Sequence, residues 1–165
     1  MGNPDSQNEY DSGGRLFSQF LQAVADEMLK QGLISGWRRF QGGAALEAAE
    51  RNLALAEDSQ GYAAVGNICR SALIDLANET FVASMCPPDT EEPKGDDATT
   101  KLKYVVMYLG AGHSKRQKEG LIKTVQGVWD FNSAVLHRKN ASKPESEMCV
   151  RLTSAVFDCM ALLTP

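Results

Sequence analysis

The chain has few of the features that would assign it to a specialised class. It contains no apolar run near the roughly 20 residues that a membrane helix needs. It has 4 cysteines in 165 residues and no CxxC pair, and neither of its two histidines stands at a ligand spacing to a cysteine. A disulfide scaffold and a zinc ribbon are therefore not expected. Six prolines and an aromatic share of 7% exclude collagen-like and low-complexity chains. No Walker loop, dinucleotide fingerprint, HExxH or GxSxG occurs. The formal net charge of -4 argues against holding DNA by bulk electrostatics.

The first fourteen residues, MGNPDSQNEYDSGG, carry neither the basic nor the apolar region of a secretory signal. Gly2 and Ser6 match the spacing of a myristoylation signal, but no polybasic stretch follows to supply a second anchor. Residues 1–14 read as a disordered polar tail. Cys69, Cys86, Cys149 and Cys159 read as reduced thiols, and the chain as cytoplasmic, without a membrane anchor, metal or cofactor.

What remains is rich in helical periodicity. In residues 15–31, Leu16, Phe17, Phe20, Leu21, Val24, Met28 and Leu29 recur at steps of three and four, up to Gly32. Residues 32–43 read as a turn in which Trp37 and Phe40 anchor inward while Arg38 and Arg39 face water. An alanine-rich helix is expected over 44–57, with Glu47 and Arg51 in the favourable order. Asp58 or Ser59 then caps a helix over 60–85 that carries Tyr62, Val65, Cys69, Leu73, Leu76 and Phe81. Its small residues suit a central position. Gly66 costs about 1 kcal/mol against alanine in a helix interior, for which a close neighbour is the expected compensation. Pro87 and Pro88 are expected to end it.

Residues 86–97, CPPDTEEPKGDD, read as a flexible acidic loop. Asp96 or Asp97 caps a helix with Leu102, Val105, Val106 and Leu109, which Gly110 and Gly112 break. Capping boxes at Ser114–Gln117 and Ser142–Glu145, the second with Pro144 in the first turn, open the last two helices. No sustained alternation marks a strand. The expected fold is all-α: residues 15–165 form one domain of five or six helices with a C-terminal antiparallel helical hairpin.

Two places can carry chemistry. His137-Arg138-Lys139-Asn140 packs a titratable base and two cations into one interhelical turn. Histidine exchanges a proton near neutral pH, and the cations can hold a phosphate. A metal-free ribonuclease uses such groups, although cations also complement the end of a helix dipole. Arg70 lies among apolar neighbours, and neither Asp75 nor Glu79 is placed to pair with it. It pairs with another helix, meets a ligand, or lays its stem on apolar surface. With Tyr62 and Trp129 it could line a nucleotide or small-ligand pocket. Asp130 and His137 stand two turns apart and make no direct dyad. Cations gather in 115–123 and 137–143, which reads as one basic end of the last hairpin.

Gly66-Asn67-Ile68-Cys69-Arg70-Ser71-Ala72-Leu73 and Asn132-Ser133-Ala134-Val135-Leu136-His137-Arg138-Lys139-Asn140-Ala141-Ser142, with the helix order, resemble the helical domains of prokaryotic abortive-infection proteins. These belong to the wider HEPN group (higher eukaryotes and prokaryotes nucleotide-binding), and the resemblance covers about residues 59–163. It implies a helical bundle, often dimeric, in phage-defence or toxin systems. Many members are metal-independent ribonucleases pairing an Arg with a His after four to six intervening residues. Here the corresponding Arg positions before His137 hold Asp130, Phe131 and Asn132, so only His137 carries over. The expectation is a non-catalytic HEPN-like module acting by self-association or by binding a partner protein or RNA. A ribonuclease using His137 with Arg70, Arg138 or Lys139, and a nucleotide sensor, are the alternatives.

Overall fold

A computed structural model describes residue 37 and residues 40–164. The amphipathic stretch at 15–31, the polar tail, and Arg38 and Arg39 lie outside the described residues. Five α-helices form, and no strand occurs among the described residues: α1 (Gly43–Leu55), α2 (Ser59–Thr80), α3 (Ala98–Leu109), α4 (Lys115–Leu136) and α5 (Lys143–Leu163). Short 3-10 turns follow α2 at Ala83–Met85 and α3 at Gly110–Gly112. The protein is an all-helical bundle. Among the described residues no helix is long and apolar enough to cross a membrane.

The caps set most boundaries. The Asp58 carboxylate accepts the Gly61 N–H at 2.8 Å and opens α2, and Asp97 accepts from Thr100 at 3.1 Å to open α3. Both capping boxes form, at Ser114–Gln117 and Ser142–Glu145. Each satisfies donors that the first helical turn otherwise leaves orphaned.

The central helix is α2, which packs against each of the other four. Val65, Gly66, Cys69, Ala72, Leu73, Leu76 and Ala77 are buried along it, a face too broad for one partner. Pairings across the bundle give the directions. Gly66 lies against Asn132 and Leu136, and Arg70 lies over Trp129, so α2 and α4 are antiparallel. Ser146 bonds Tyr62, and Cys69 bonds Thr153, so α2 and α5 run parallel. Asn132 meets Thr153 and Arg138 meets Glu145, which makes α4 and α5 the expected antiparallel hairpin. The main core gathers Leu46, Leu73, Leu76, Leu102, Val105, Val128 and Phe157, with Trp37 and Phe40 packed against it. A smaller cluster around Val65, Cys69, Val135 and Cys149 fills the end nearer the His137 turn.

One boundary differs from the sequence expectation. Helix α2 stops at Thr80, well before Pro87 and Pro88. Phe81 leaves in an extended conformation, which turns its ring toward Tyr104 and the Lys101 ammonium. Burial of that ring, at 9% exposure, outweighs further helical turns over Val82, which is half exposed. The acidic loop that follows is mostly exposed, and Lys101 holds its far end through the Gly95 carbonyl at 3.3 Å.

Gly66 meets the expectation of a close neighbour. A methyl group there would stand 3.0 Å from the Asn132 carbonyl oxygen and 3.1 Å from the Leu136 nitrogen, both backbone atoms of α4. Gly66→Ala should therefore destabilise by about 1–2 kcal/mol, because overpacking outweighs the roughly 1 kcal/mol gain in helix propensity. A lower urea midpoint at unchanged slope would register the loss; a raised midpoint would refute the close contact.

Candidate functional site

Arg70 projects from the face of α2 that meets α4. Its guanidinium lies 4.5 Å from the centroid of the Trp129 ring. The residue is half buried, and its Nε is buried with no hydrogen-bond partner. No carboxylate forms an ion pair with it among the described residues. Asp130, next to Trp129, accepts instead from Gln126 at 2.9 Å. The ring face attracts the cation by about 0.5–2 kcal/mol, yet it accepts nothing from Nε. A buried donor without an acceptor costs about 1–3 kcal/mol. Arg70 is thus stacked, partly desolvated and without an ion-pair partner among the described residues.

The other candidates stand elsewhere. His137 is the C-cap of α4, with its N–H on the Ser133 carbonyl and its side chain exposed. It follows Trp129 by eight residues, or about 12 Å along the helix axis. Arg138 pairs with Glu145, whose carboxylate also accepts from the Ser142 hydroxyl and N–H at 2.8 and 2.9 Å. The Ser142 hydroxyl is the foremost cause, with the Ser142 N–H and Arg138 behind it, that holds the Glu145 carboxyl below its ordinary range. Arg138 is therefore neutralised by its neighbour. Lys139 and Asn140 are exposed in the turn. Of the three residues expected to line one pocket, Arg70 and Trp129 meet, while Tyr62 packs on the smaller core cluster. The two basic stretches also separate. The first occupies the start of α4 and the second follows its end, so about 14 residues, roughly 21 Å of helix, lie between them rather than one shared end of the hairpin.

Three buried polar groups escaped the sequence reading. Asn132, fully buried, donates to the Thr153 hydroxyl at 2.9 Å and leaves its Oδ1 unpartnered. Thr153 also bonds Cys69, whose thiol burial pushes up to about 12, so that it is no nucleophile. Lys101 is 7% exposed, donates to Asn78 at 2.6 Å and lies over the Phe81 ring. Asp158 is 5% exposed, with Oδ1 unpartnered. Two of these had a sequence signal. Lys101 sits in the stripe of Ala98, Leu102 and Val105, and Asp158 interrupts the apolar run 155–163.

No family model, no curated protein and no solved structure matches the chain.

Proposed function

We propose that the chain is a non-catalytic helical binding module, of the HEPN-like kind its sequence resembles, that holds a phosphate of a single-stranded RNA partner against Arg70. The observation that carries this reading is the Arg70 guanidinium stacked on Trp129 with a buried, unpartnered Nε and no counter-charge. A phosphate oxygen can meet the terminal N–H groups of the guanidinium and supply the counter-charge it lacks, and a base can stack beside the indole. Binding is favoured over cleavage because His137 is an exposed helix end, about 12 Å along α4 from Trp129.

The chain's two tryptophans make the test direct. In a Trp37→Phe background, a short single-stranded RNA should change Trp129 fluorescence saturably, with affinity falling as salt rises. Arg70→Met keeps the stem and removes the charge. It should weaken binding about 10- to 100-fold, the worth of a charge-assisted hydrogen bond. Its melting temperature should stay level or rise, since an uncompensated buried donor has gone. RNA recovered from the titration in chelator should be uncut, and His137→Ala should bind as the parent does. Equal binding by Arg70→Met, or a strong loss of stability in that variant, would make Arg70 a structural residue and end the proposal.

A further inference from the structure

At the end of the bundle away from the His137 turn, the end of α3, the Gly110–Gly112 turn, the start of α4 and the end of α5 enclose a cleft of about 330 Å³. Its buried side is apolar: Val106 is 1% exposed, and Leu121 and Leu163 are partly buried. His113 and Gln117 are exposed at the rim, and Leu162 there is 72% exposed. Gly110 shapes this cleft. A methyl group on it would come within 3.1 Å of Lys118 Cδ and 3.2 Å of Cγ, so the methylene stem of Lys118 lies across the glycine.

The charge around the cleft is one-sided. Lys118 lines the cleft with His113 and Gln117 beside it, and among the described residues no carboxylate side chain lines it. Glu119 pairs with Lys115 at 3.8 Å, and among the described residues Lys118 has no carboxylate partner. The first turn of α4 contains no acid, although the helix dipole favours acids at that position. Cations placed against the dipole cost stability that a bound anion would restore. An apolar cleft edged by a lysine with no carboxylate partner complements an amphiphile with an anionic head. The volume lies at the small end of ligand pockets, roughly 300–1,000 Å³, which suits one short chain.

The geometry points to a binding site for a single medium-chain fatty carboxylate, its tail between Val106, Leu121 and Leu163 and its head at Lys118. This site is separate from Arg70 and independent of the RNA reading.

Titration calorimetry with hexanoate, octanoate and decanoate, all below micelle-forming concentrations, tests it. Affinity should rise about fourfold per added methylene and level off once the chain outgrows the cleft. Octanol, with the same tail and no charge, should bind about fivefold more weakly than octanoate. Lys118→Glu, a change on the rim that leaves the core intact, should weaken octanoate about tenfold. Gly110→Leu should fill the cleft and abolish binding, while Arg70→Met should bind octanoate as the parent does. The proposal falls if no saturable heat appears across the series, if octanol equals octanoate, or if both cleft variants bind normally. It also falls if light scattering shows that Gly110→Leu or Lys118→Glu splits a dimer, which would make the cleft a contact between copies of the chain.

Discussion

Phe157→Ala should destabilise the bundle by about 3–5 kcal/mol, the range for emptying a fully buried aromatic site. Phe157 is 0% exposed and heads the fully buried side chains by volume. It stands where three elements meet. Its ring meets Phe40 edge-on at 5.8 Å, and its tip lies 3.0 Å from where a methyl group on Gly42 would sit. That same methyl group would lie 3.1 Å from the Ala72 carbonyl of α2. The backbone entering α1 is thus pressed between α2 and Phe157 of α5, leaving little room for collapse around a cavity. The loss is a large share of a typical total of about 5–15 kcal/mol, so the melting temperature should drop by about 10 °C or more. Urea unfolding followed by circular dichroism measures it. A double-mutant cycle with Phe40→Ala should return about 0.5–1.5 kcal/mol of coupling for the edge-on pair. A cost below about 1 kcal/mol for Phe157→Ala would mean that α1 and α5 do not share this core.

The cycle probes a long-range contact, and long-range contacts are what single-sequence reading loses. Helix starts were legible because capping is local: Asp97, Ser114–Gln117 and Ser142–Glu145 with Pro144 act within three residues of the chain. Gly66 was legible as a close-contact position because a glycine inside a strong helical stripe needs a tertiary reason. The end of α2 was not. Phe81 continues the helical stripe in sequence, and only its burial beside Tyr104 and Lys101 explains why the backbone turns extended there. At the candidate site, the lack of an i+4 acid left Arg70 visibly short of a partner, but nothing local names Trp129. The His137-Arg138-Lys139-Asn140 turn looked like one catalytic cluster because its residues are adjacent in sequence. In space, the Glu145 carboxylate that completes the capping box also pairs with Arg138, so one of the two cations of that turn has a partner from α5. The two basic stretches read as one end of a hairpin, but one opens α4 and the other follows its end.

Asp158→Asn should lower stability by about 1 kcal/mol near pH 4 and raise it by about 1–2 kcal/mol near pH 7.5. Asp158 lies in α5 beside Phe157, almost fully buried, with one carboxylate oxygen unpartnered and the carboxylate accepting the backbone N–H of Trp37. Burial is the main cause that pushes its carboxyl up to about 6, with the Trp37 bond pulling partly the other way. An unfolded aspartate ionises near 3.9. Between those values the native state holds a proton that the unfolded state has lost. The stability linked to this group is therefore full below about pH 4, falls as pH rises through about 6, and stays low above it. A shift of about two units corresponds to at most about 3 kcal/mol. Asparagine keeps an acceptor for Trp37 and never ionises, so it escapes that loss. Its amide brings donors to an apolar site, which trims the gain toward about 1–2 kcal/mol. Glu145 acts with the opposite sign, since its lowered carboxyl contributes stability that is lost as pH falls. Comparing variant with parent at each pH cancels that contribution and isolates Asp158. The urea midpoint of the variant should lie below the parent's at pH 4 and above it at pH 7.5. A variant that is less stable at pH 7.5 would show instead that the charged carboxylate has a partner and contributes to the fold.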